Sequence, residues 1–231
     1  MQGFHRKARE LGAEYVADAV VRLVPHKVTL KSGATIEADT IVLAAGPWSG
    51  EVAASAGIAL PVEPRRRSVF VFDIRREEGR ENLPLLPLTI DPSGVWFRPE
   101  GRFYIGGTTP AEGNDPPAAP LEVQHEEWDE MVWPVLAGRI PAFEAAKVVN
   151  SWAGYYEYNT FDQNGIVGRH PEIDSLIFAT GFSGHGIQQS PAVGRAVAEL
   201  IVHGDYRTLN LSPFGYERIS AGRPVRELNV V

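Results

Sequence analysis

The 231-residue sequence contains no cysteine. This absence excludes disulfide bonds, thiolate nucleophiles, zinc and iron–sulfur sites with cysteine ligands, and any cofactor attached through a cysteine sulfur. The histidines stand at positions 5, 26, 125, 170, 185 and 203, and no two of them form a close pair at metal-ligand spacing. We therefore expect no metal site.

Long apolar runs and an excess of basic residues are also absent. No apolar run approaches the length of a membrane span, and the first residues lack the apolar segment of a secretory signal. The net charge of −7 disfavours nucleic acid or an anionic membrane as partner. The basic clusters at 65–67 and 75–76 are typical of a solvated strand edge or loop. We expect a soluble protein of a reducing compartment, the cytoplasm.

The residue pattern indicates an α/β (α+β) chain that folds as one large domain or as two small ones sharing a core. A helix is predicted over 4–11, with Gly12 as its C-cap. Alternating residues predict an antiparallel meander over 20–38, and the apolar run 40–45 predicts a strand buried on both faces. A helix from Pro47 to Ala56 follows. A buried strand at 176–180 precedes a long helix over 186–202, with Gly204 as its C-cap.

The middle of the chain has the pattern of an antiparallel sheet. Predicted strands cover 61–73 and the aromatic-rich 148–158, and a hairpin joins 95–98 to 103–106. Loops are predicted at 79–87 and 110–120, and a helix over 121–136 that ends before Gly138. We therefore expect one domain from 1–60 and 171–231, with an antiparallel domain from 61–170 inserted into it.

A glycine-rich turn links the last buried strand to the long helix, in the segment Phe178-Ala-Thr-Gly-Phe-Ser-Gly-His-Gly-Ile187. Gly181, Gly184 and Gly186 carry no Cβ, so a flat or anionic group can approach the main chain closely. The positive end of the helix dipole then faces that group, as the pyrimidine edge of a reduced flavin requires. The alternative is a strand–helix turn whose glycines only set its geometry.

Several motifs occur together in a fixed order, and together they are highly specific. They are Ile41-Val-Leu-Ala-Ala-Gly-Pro-Trp-Ser49, Phe97-Arg-Pro-Glu-Gly101, the segment 151–168, the segment 179–189 and Leu211-Ser-Pro-Phe214. In this combination the chain resembles the FAD-dependent enzymes of the D-amino-acid oxidase superfamily, in the branch of sarcosine oxidase, glycine oxidase and dimethylglycine dehydrogenase. The resemblance covers essentially the whole chain. It implies a Rossmann-like FAD-binding domain with an inserted antiparallel substrate domain.

One departure from this family concerns the phosphate-binding unit. The family begins with a strand–GxGxxG–helix unit that holds the FAD pyrophosphate, and this sequence has no GxGxxG. The resemblance therefore implies an incomplete FAD-binding domain, with Met1 well past that unit. The missing half would be a separate polypeptide, or would be absent through truncation or a wrongly assigned start codon. The strands at 41–45 and 176–179 would then have exposed edges.

The resemblance also implies a set of residues that bind FAD non-covalently. The Val20 backbone would border the adenine, and Gly184 to Ile187 would surround the pyrimidine ring of the flavin. The full set is Val20, Ala45, Gly46, Trp48, Gly181, Gly184, His185, Gly186, Ile187 and Gln188. Two of them have simpler alternatives, because Trp48 can be a core aromatic residue and His185 a turn residue bonded to backbone.

The substrate implied is a small amine or amino acid whose carbon beside the nitrogen loses a hydride to the flavin. The resulting imine hydrolyses in water, so no catalytic acid or base is assigned. In sarcosine oxidases a lysine two residues after Gly-His-Gly pairs with the substrate carboxylate, and here Gln188 supplies no charge. Arg98, Tyr156 and Tyr158 are candidates for substrate contacts, with Tyr155 on the opposite strand face. The alternative is that the tyrosines pack within the sheet and that Arg98 is a surface residue.

A second function also agrees with the sequence. The chain would then be a non-catalytic fragment, or an assembly or scaffold protein that keeps the fold without turnover. The absent phosphate-binding unit favours this alternative, whereas the intact Gly-His-Gly turn and the aromatic middle favour the enzyme. The enzyme would take a small amine or amino acid as substrate, and would work either as an intact protein or after association with a separate polypeptide that carries the N-terminal FAD-binding half.

Overall fold

A computed structural model of the protein describes residues 1–74, 86–110 and 113–228. Arg75, Arg76 and most of the predicted loop at 79–87 lie outside these ranges. The described residues form helices and three sheets, so the α/β (α+β) prediction is confirmed. The helices are α1 (Gln2–Glu10), α2 (Ser49–Ala54), α3 (Trp133–Arg139), α4 (Gly186–His203) and α5 (Glu217–Ser220).

The strands fall into three groups. A meander contains β1 (Val20–Val24), β2 (Lys27–Leu30) and β3 (Thr35–Glu37). A three-stranded mixed sheet has the order β10-β11-β4, built from β4 (Ile41–Leu43), β10 (Ile166–Arg169) and β11 (Leu176–Thr180). A five-stranded antiparallel sheet has the order β6-β7-β8-β5-β9, built from β5 (Val62–Asp73), β6 (Thr89–Ile90), β7 (Trp96–Glu100), β8 (Phe103–Gly107) and β9 (Lys147–Asn159).

The mixed sheet differs from the prediction in its strand edges, in the length of β4 and in the presence of β10. β4 and β11 pair in parallel with each other, and β11 also pairs with β10, so β11 has no free edge. β4 is shorter than predicted, and Val42 on it is 38% exposed, because no described element covers that side chain. β10 was not predicted as a strand. β10 lies in the mixed sheet, although the predicted domain boundaries place it in the inserted domain. Those domain boundaries stay a prediction.

Apolar side chains pack on both faces of the mixed sheet, although Val42 stays partly exposed. One face packs Leu43 and Phe178 against α2, and the other packs Ile177 and Val167 against α4. The predicted α4 is confirmed, and it ends at Gly204 in the left-handed conformation (φ 73°) that favours glycine. Ala196, Val197 and Leu200 form the buried face of α4, while Ile201 is 46% exposed.

The five-stranded sheet has one covered face and one open face. Alternate residues of β5 point to the covered face, where Phe70 and Phe72 pack with Tyr104 against Trp128 and Phe143. The predicted hairpin of β7 and β8 is confirmed, but Pro99 and Glu100 belong to β7, and the turn is residues 101–102.

The helix over the covered face begins later than predicted. Residues 121–124 are not helical, and the Gln124 N–H donates to Ser68 Oγ on β5 at 3.1 Å. Helical structure starts at Glu126, passes through a π-helical turn at Trp128–Val132 and continues as α3. Gly138 lies inside α3, because the chain becomes extended only at Ile140.

The loop between β10 and β11 makes the fold sensitive to pH through His170. Its Nδ1 accepts hydrogen bonds from the N–H groups of Glu172 (3.1 Å) and Ile173 (3.2 Å), and its ring stacks on Tyr216. Burial lowers the pKa of His170 from 6.5. The unfolded chain therefore binds a proton at a higher pH than the folded chain does. Stability present above pH 6.5 is lost as the pH falls from 6.5 towards the lower folded pKa.

We expect the substitution His170→Asn to remove this pH dependence. The asparagine Oδ1 can accept the same backbone N–H groups without titrating. Urea unfolding above and below pH 6.5 would compare the two proteins. The wild type should lose more stability than the variant on acidification, and parallel pH profiles would contradict the assignment.

Candidate functional site

The turn after β11 is built from left-handed residues. Gly181 (φ 74°), Ser183 (φ 45°) and Gly184 (φ 92°) all have positive φ angles. A Cβ at Gly181 would lie 3.0 Å from Val62 Cγ2, so both the conformation and the space favour glycine at this position. Gly181 to Ser183 are buried, whereas Gly184 is exposed. The turn is therefore packed on one side and open on the other.

The turn is fixed to the edge of β9. The Ser183 N–H donates to the Glu157 carbonyl oxygen at 3.0 Å, and the Asn159 N–H donates to Ser183 Oγ at 2.9 Å. Both bonds use the edge of β9 that does not pair with β5. They hold Ser183 in a conformation that is rare for residues other than glycine. The predicted turn thus lies directly beside the aromatic strand.

Helix α4 begins with unpaired backbone donors. Among the described residues, no acceptor lies within hydrogen-bond reach of the N–H groups of Gly186, Ile187 and Gln188, and His185 makes no side-chain cap. The Ile187 side chain is 89% exposed. His185 is half-buried, and its Nδ1 has no partner. Three donors and the positive helix end therefore remain available to an anionic or electron-rich group.

Glu157 is a site residue that the sequence analysis missed. Its Oε2 accepts hydrogen bonds from the Gly181 N–H and from Thr180 Oγ1, each at 2.9 Å. Thr180 Oγ1 in turn lies 2.6 Å from Ser49 Oγ at the start of α2, and both hydroxyl groups are buried. A Cβ at Gly186 would lie 3.5 Å from Glu157 Oε1. One carboxylate therefore connects β9, the turn, and the start of α2.

Trp48 lies where β9, the turn and the start of α2 meet. Its ring meets the Tyr155 ring edge-on, with 6.1 Å between centroids, and its side chain is 53% exposed. It is therefore not a buried core residue, which was the alternative. Gly46, two residues before it, has φ 56° and open space where a Cβ would be. Ala45 packs on the apolar cluster around Leu43, so only part of this motif is available to a ligand.

The substrate candidates lie on the open face of the five-stranded sheet. The register pairs Tyr156 with Arg65 and Arg98 with Ile105, so Tyr156 and Arg98 both point away from the core around Phe70. Tyr156 and Tyr158 stack with 6.0 Å between ring centroids, beside the turn. Arg98, on β7, is separated from them by β8 and β5, and it pairs with Glu100. The structure thus brings the tyrosines near the turn but leaves Arg98 apart.

Two arginines cover these tyrosine rings. The Arg67 guanidinium carbon lies 4.5 Å from the Tyr156 ring centroid, and that of Arg65 lies 5.3 Å from the Tyr158 centroid. Burial raises the pKa of Tyr156 to about 12, against the smaller opposing effect of Arg67. At neutral pH Tyr156 is therefore a neutral hydroxyl group that can donate a hydrogen bond. The prediction of a solvated edge at 65–67 is wrong for Arg65 and Arg67, because aromatic rings and a loop largely cover their side chains.

Val20 stands apart from the other predicted residues. It lies at the start of β1 in the meander, opposite Leu30 at a register irregularity, and is 36% exposed. The meander is a different sheet from the one that carries the turn. The assignment of Val20 to the adenine stays a prediction.

No helix among the described residues is long and apolar enough to cross a membrane. No group of three possible metal ligands occurs within the described ranges.

The sequence matches a family model described as FAD dependent oxidoreductase (DAO) over residues 1–200. The chain therefore belongs to this family of flavoenzymes, as its motifs predicted, and the cofactor of the family is FAD. Among curated relatives, it is 50% identical to FAD-dependent oxidoreductase domain-containing protein 1 of Xenopus laevis, covering 85% of this chain and 41% of that protein. It is 29% identical to glycine oxidase of Bacillus licheniformis, covering 95% of this chain and 58% of the relative.

Solved structures support the fold. L-proline dehydrogenase from P. horikoshii matches with a TM-score of 0.82 and 28% identity, over 96% of this chain and 59% of that one. The chain thus spans about half the length of the proteins it resembles. The predicted fold is confirmed by this match, while the assignments of individual residues to FAD and substrate stay predictions.

Proposed function

We propose that this chain forms the flavin-ring and substrate side of an FAD-dependent enzyme that oxidises the C–N bond of a small amine or amino acid. The relatives named above include glycine oxidase and L-proline dehydrogenase, whose names describe this chemistry for those proteins. The single observation that carries the proposal is the open start of α4 beside a glycine turn fixed to β9. Its free N–H groups suit an electron-rich ring edge.

The residues of this chain fit the cofactor at its ring end. Gly186, Ile187 and Gln188 would donate backbone hydrogen bonds, while Gly46 leaves open space and Trp48 an exposed aromatic surface. When bound, FAD supplies the oxidising power by accepting a hydride from the carbon beside the amine nitrogen. The turn would orient the ring, and Tyr156 and Tyr158 would exclude water on the substrate side. No protein base is needed when the amine binds in its neutral form.

The phosphate-binding half is the partner that this proposal requires. The chain has no GxGxxG, and β4 has one edge without a partner strand among the described residues. We propose that this edge accepts a strand from a polypeptide carrying that half. A chain without cysteine needs no oxidising compartment for its fold, and we propose that it works in the cytoplasm. The alternative is a non-catalytic scaffold. The free edge of β4 favours this alternative if that edge serves only for assembly.

The test is FAD binding with a matched pair of glycine variants. The purified chain would be titrated with FAD, with and without a polypeptide carrying the family's strand–GxGxxG–helix half, and the visible flavin spectrum recorded. Gly184→Ala adds a side chain at φ 92°, two residues before the first free N–H group, whereas Gly204→Ala adds one at φ 73°, at the far end of α4.

We expect a saturable yellow complex for the wild type and for Gly204→Ala, and at least about tenfold weaker binding for Gly184→Ala. The complex would then be mixed anaerobically with secondary and primary amines, and flavin bleaching would identify the substrate class. A colourless protein with the second half present would refute the enzyme. A stable complex that no amine bleaches would favour the scaffold.

A further inference from the structure

Asn164 and Gly165 stand in the loop between β9 and β10 and form the single Asn-Gly pair of the sequence. In such a pair the main-chain nitrogen of the glycine can attack the side-chain carbonyl carbon of the asparagine, because no Cβ blocks the approach. Asn164 is half-buried and Gly165 is buried. Gln163, directly before them, has a φ of 59°, which is rare for residues other than glycine. The loop therefore holds a reactive pair in an uncommon backbone conformation.

The attacking nitrogen already lies beside its target. The Gly165 N–H donates to Asn164 Oδ1 at 3.0 Å, so the two groups that would react are held within one hydrogen-bonded ring. Such proximity replaces the chance encounter that a flexible chain requires. The Phe182 ring confines the glycine from another side, because a Cβ at Gly165 would lie 2.5 Å from two of its ring carbons.

Two buried side chains donate to the oxygen of the same peptide unit. Resonance spreads the charge of a deprotonated Gly165 nitrogen onto the Asn164 main-chain oxygen. That oxygen accepts from Asn159 Nδ2 at 2.5 Å and from Arg218 Nη2 at 3.1 Å. The Arg218 side chain is only 5% exposed, so water screens its charge weakly. Both donors therefore stabilise the anionic nitrogen, as preorganised donors stabilise any developing negative charge.

Two contacts oppose the reaction. The Asp162 carboxylate also accepts from Arg218 Nη2, at 3.0 Å, but the pair is neutral as a whole and leaves both donors on the Asn164 oxygen. The leaving nitrogen, Asn164 Nδ2, donates to the Val225 carbonyl oxygen at 3.0 Å, and that bond must break. Asn164 and Gly165 border a cavity of about 330 Å³, which gives ammonia and an incoming water molecule room beside the pair.

We propose that Asn164 is a site of self-catalysed modification, at which Arg218 and Asn159 promote conversion to aspartate or isoaspartate. The Gly165 nitrogen forms a bond to Asn164 Cγ and loses its proton to water. The bond from Cγ to Nδ2 breaks, and Nδ2 leaves as ammonia with a proton taken from water. One water molecule then opens the cyclic imide. Opening at Cγ gives aspartate, and opening at the main-chain carbonyl gives isoaspartate.

The modification would loosen the C-terminal segment. A carboxylate at position 164 cannot donate to the Val225 carbonyl oxygen, and it adds negative charge beside Asp162. Isoaspartate also adds one carbon to the main chain directly before Gly165, which packs on Phe182 in the turn before α4. The inference does not depend on FAD or on a substrate.

The test follows the reaction in the purified chain without cofactor. Peptide mapping by mass spectrometry would measure the conversion of Asn164 over time, in the native chain and in the chain unfolded by urea, and enzymatic methylation would quantify isoaspartate. Arg218→Lys and Asn159→Ala each weaken one donor. Thr160→Ala is the matched control, because it removes a hydrogen bond of the same loop, to the Pro61 carbonyl oxygen at 3.5 Å, that does not involve Asn164.

We expect Asn164 to convert at least about tenfold faster in the native chain than in the unfolded chain, whereas the exposed Asn150 converts no faster when native. Arg218→Lys and Asn159→Ala should each lower the native rate about threefold or more, and Thr160→Ala should leave it unchanged. The rate in urea should be the same for all four proteins, because the donors are then absent.

A native rate equal to or below the rate in urea would mean that the fold protects Asn164, and the inference would fail. It would fail equally if neither Arg218→Lys nor Asn159→Ala slowed the native reaction. Where these variants do not fold, as circular dichroism would reveal, the comparison of the native and unfolded wild type decides.

Discussion

Replacing Asp162 by alanine is expected to lower the free energy of unfolding by about 3–5 kcal/mol, because it leaves the Arg218 charge buried and unpaired. Asp162 and Arg218 form an ion pair with two hydrogen bonds, at 2.7 Å and 3.0 Å. The Asp162 side chain is fully buried, and that of Arg218 is only 5% exposed. The Asp162 carboxylate also accepts from Asn159 Nδ2 (2.9 Å) and the Val225 N–H (3.0 Å). No solvent can replace these partners.

Chemical unfolding followed by circular dichroism would measure this effect. Asp174→Ala is the matched control, because the Asp174 side chain is 96% exposed and lies 3.9 Å from His26. Such an exposed pair contributes about 0–1 kcal/mol. If both variants lost the same stability, the buried pair would not have the anchoring role that its contacts indicate. The pair also ties the C-terminal segment to the loop after β9.

Replacing Glu157 by alanine is expected to weaken FAD binding by about 10–100-fold, measured with the FAD-binding half present. The alanine leaves the Gly181 N–H without its acceptor and removes one partner of Thr180. Each unsatisfied buried donor costs about 1–3 kcal/mol, so the turn would relax away from β9. The start of α4 would then no longer present its N–H groups in one fixed arrangement.

Two further variants separate charge from geometry. Glu157→Gln keeps an oxygen that can accept both hydrogen bonds, and we expect most of the affinity to return. Glu100→Ala removes an exposed carboxylate from another strand of the same sheet and should leave FAD binding unchanged. Equal affinities for Glu157→Ala and the wild type would remove Glu157 from the site. Equal losses in the alanine and glutamine variants would assign the effect to charge instead.

Local patterns predicted much of the fold. The meander, α4 with Gly204, β9 and the β7–β8 hairpin follow from periodicity and turn residues that act over a few positions. β10 was missed because Gly168 lies within its four residues and Gly165 directly precedes them, which gives the segment the composition of a turn. The late start of the helix before α3 was missed because Gln124 bonds to Ser68 on a distant strand. Such contacts carry no local sequence signal.

In the candidate site, too, local motifs were predictable and contacts between distant segments were not. The glycine turn and Trp48 were predictable because their motifs are continuous in sequence. Glu157 was not found, since its role depends on which edge of β9 receives the turn. A carboxylate between two tyrosines, on the opposite strand face, was the available signal. Arg65 and Arg67 were misread as solvated, because the loop 113–120 that covers them is distant in sequence.

Ser183 fixes the turn before α4 to the backbone of β9. The hydrogen bonds to Glu157 and Asn159 lie on the same strand as the stacked rings of Tyr156 and Tyr158. Because the β9 backbone makes those bonds, a displacement of that backbone would shift the beginning of α4 with it. One short stretch of β9 therefore fixes the positions of both the stacked rings and the turn that precedes the free N–H groups.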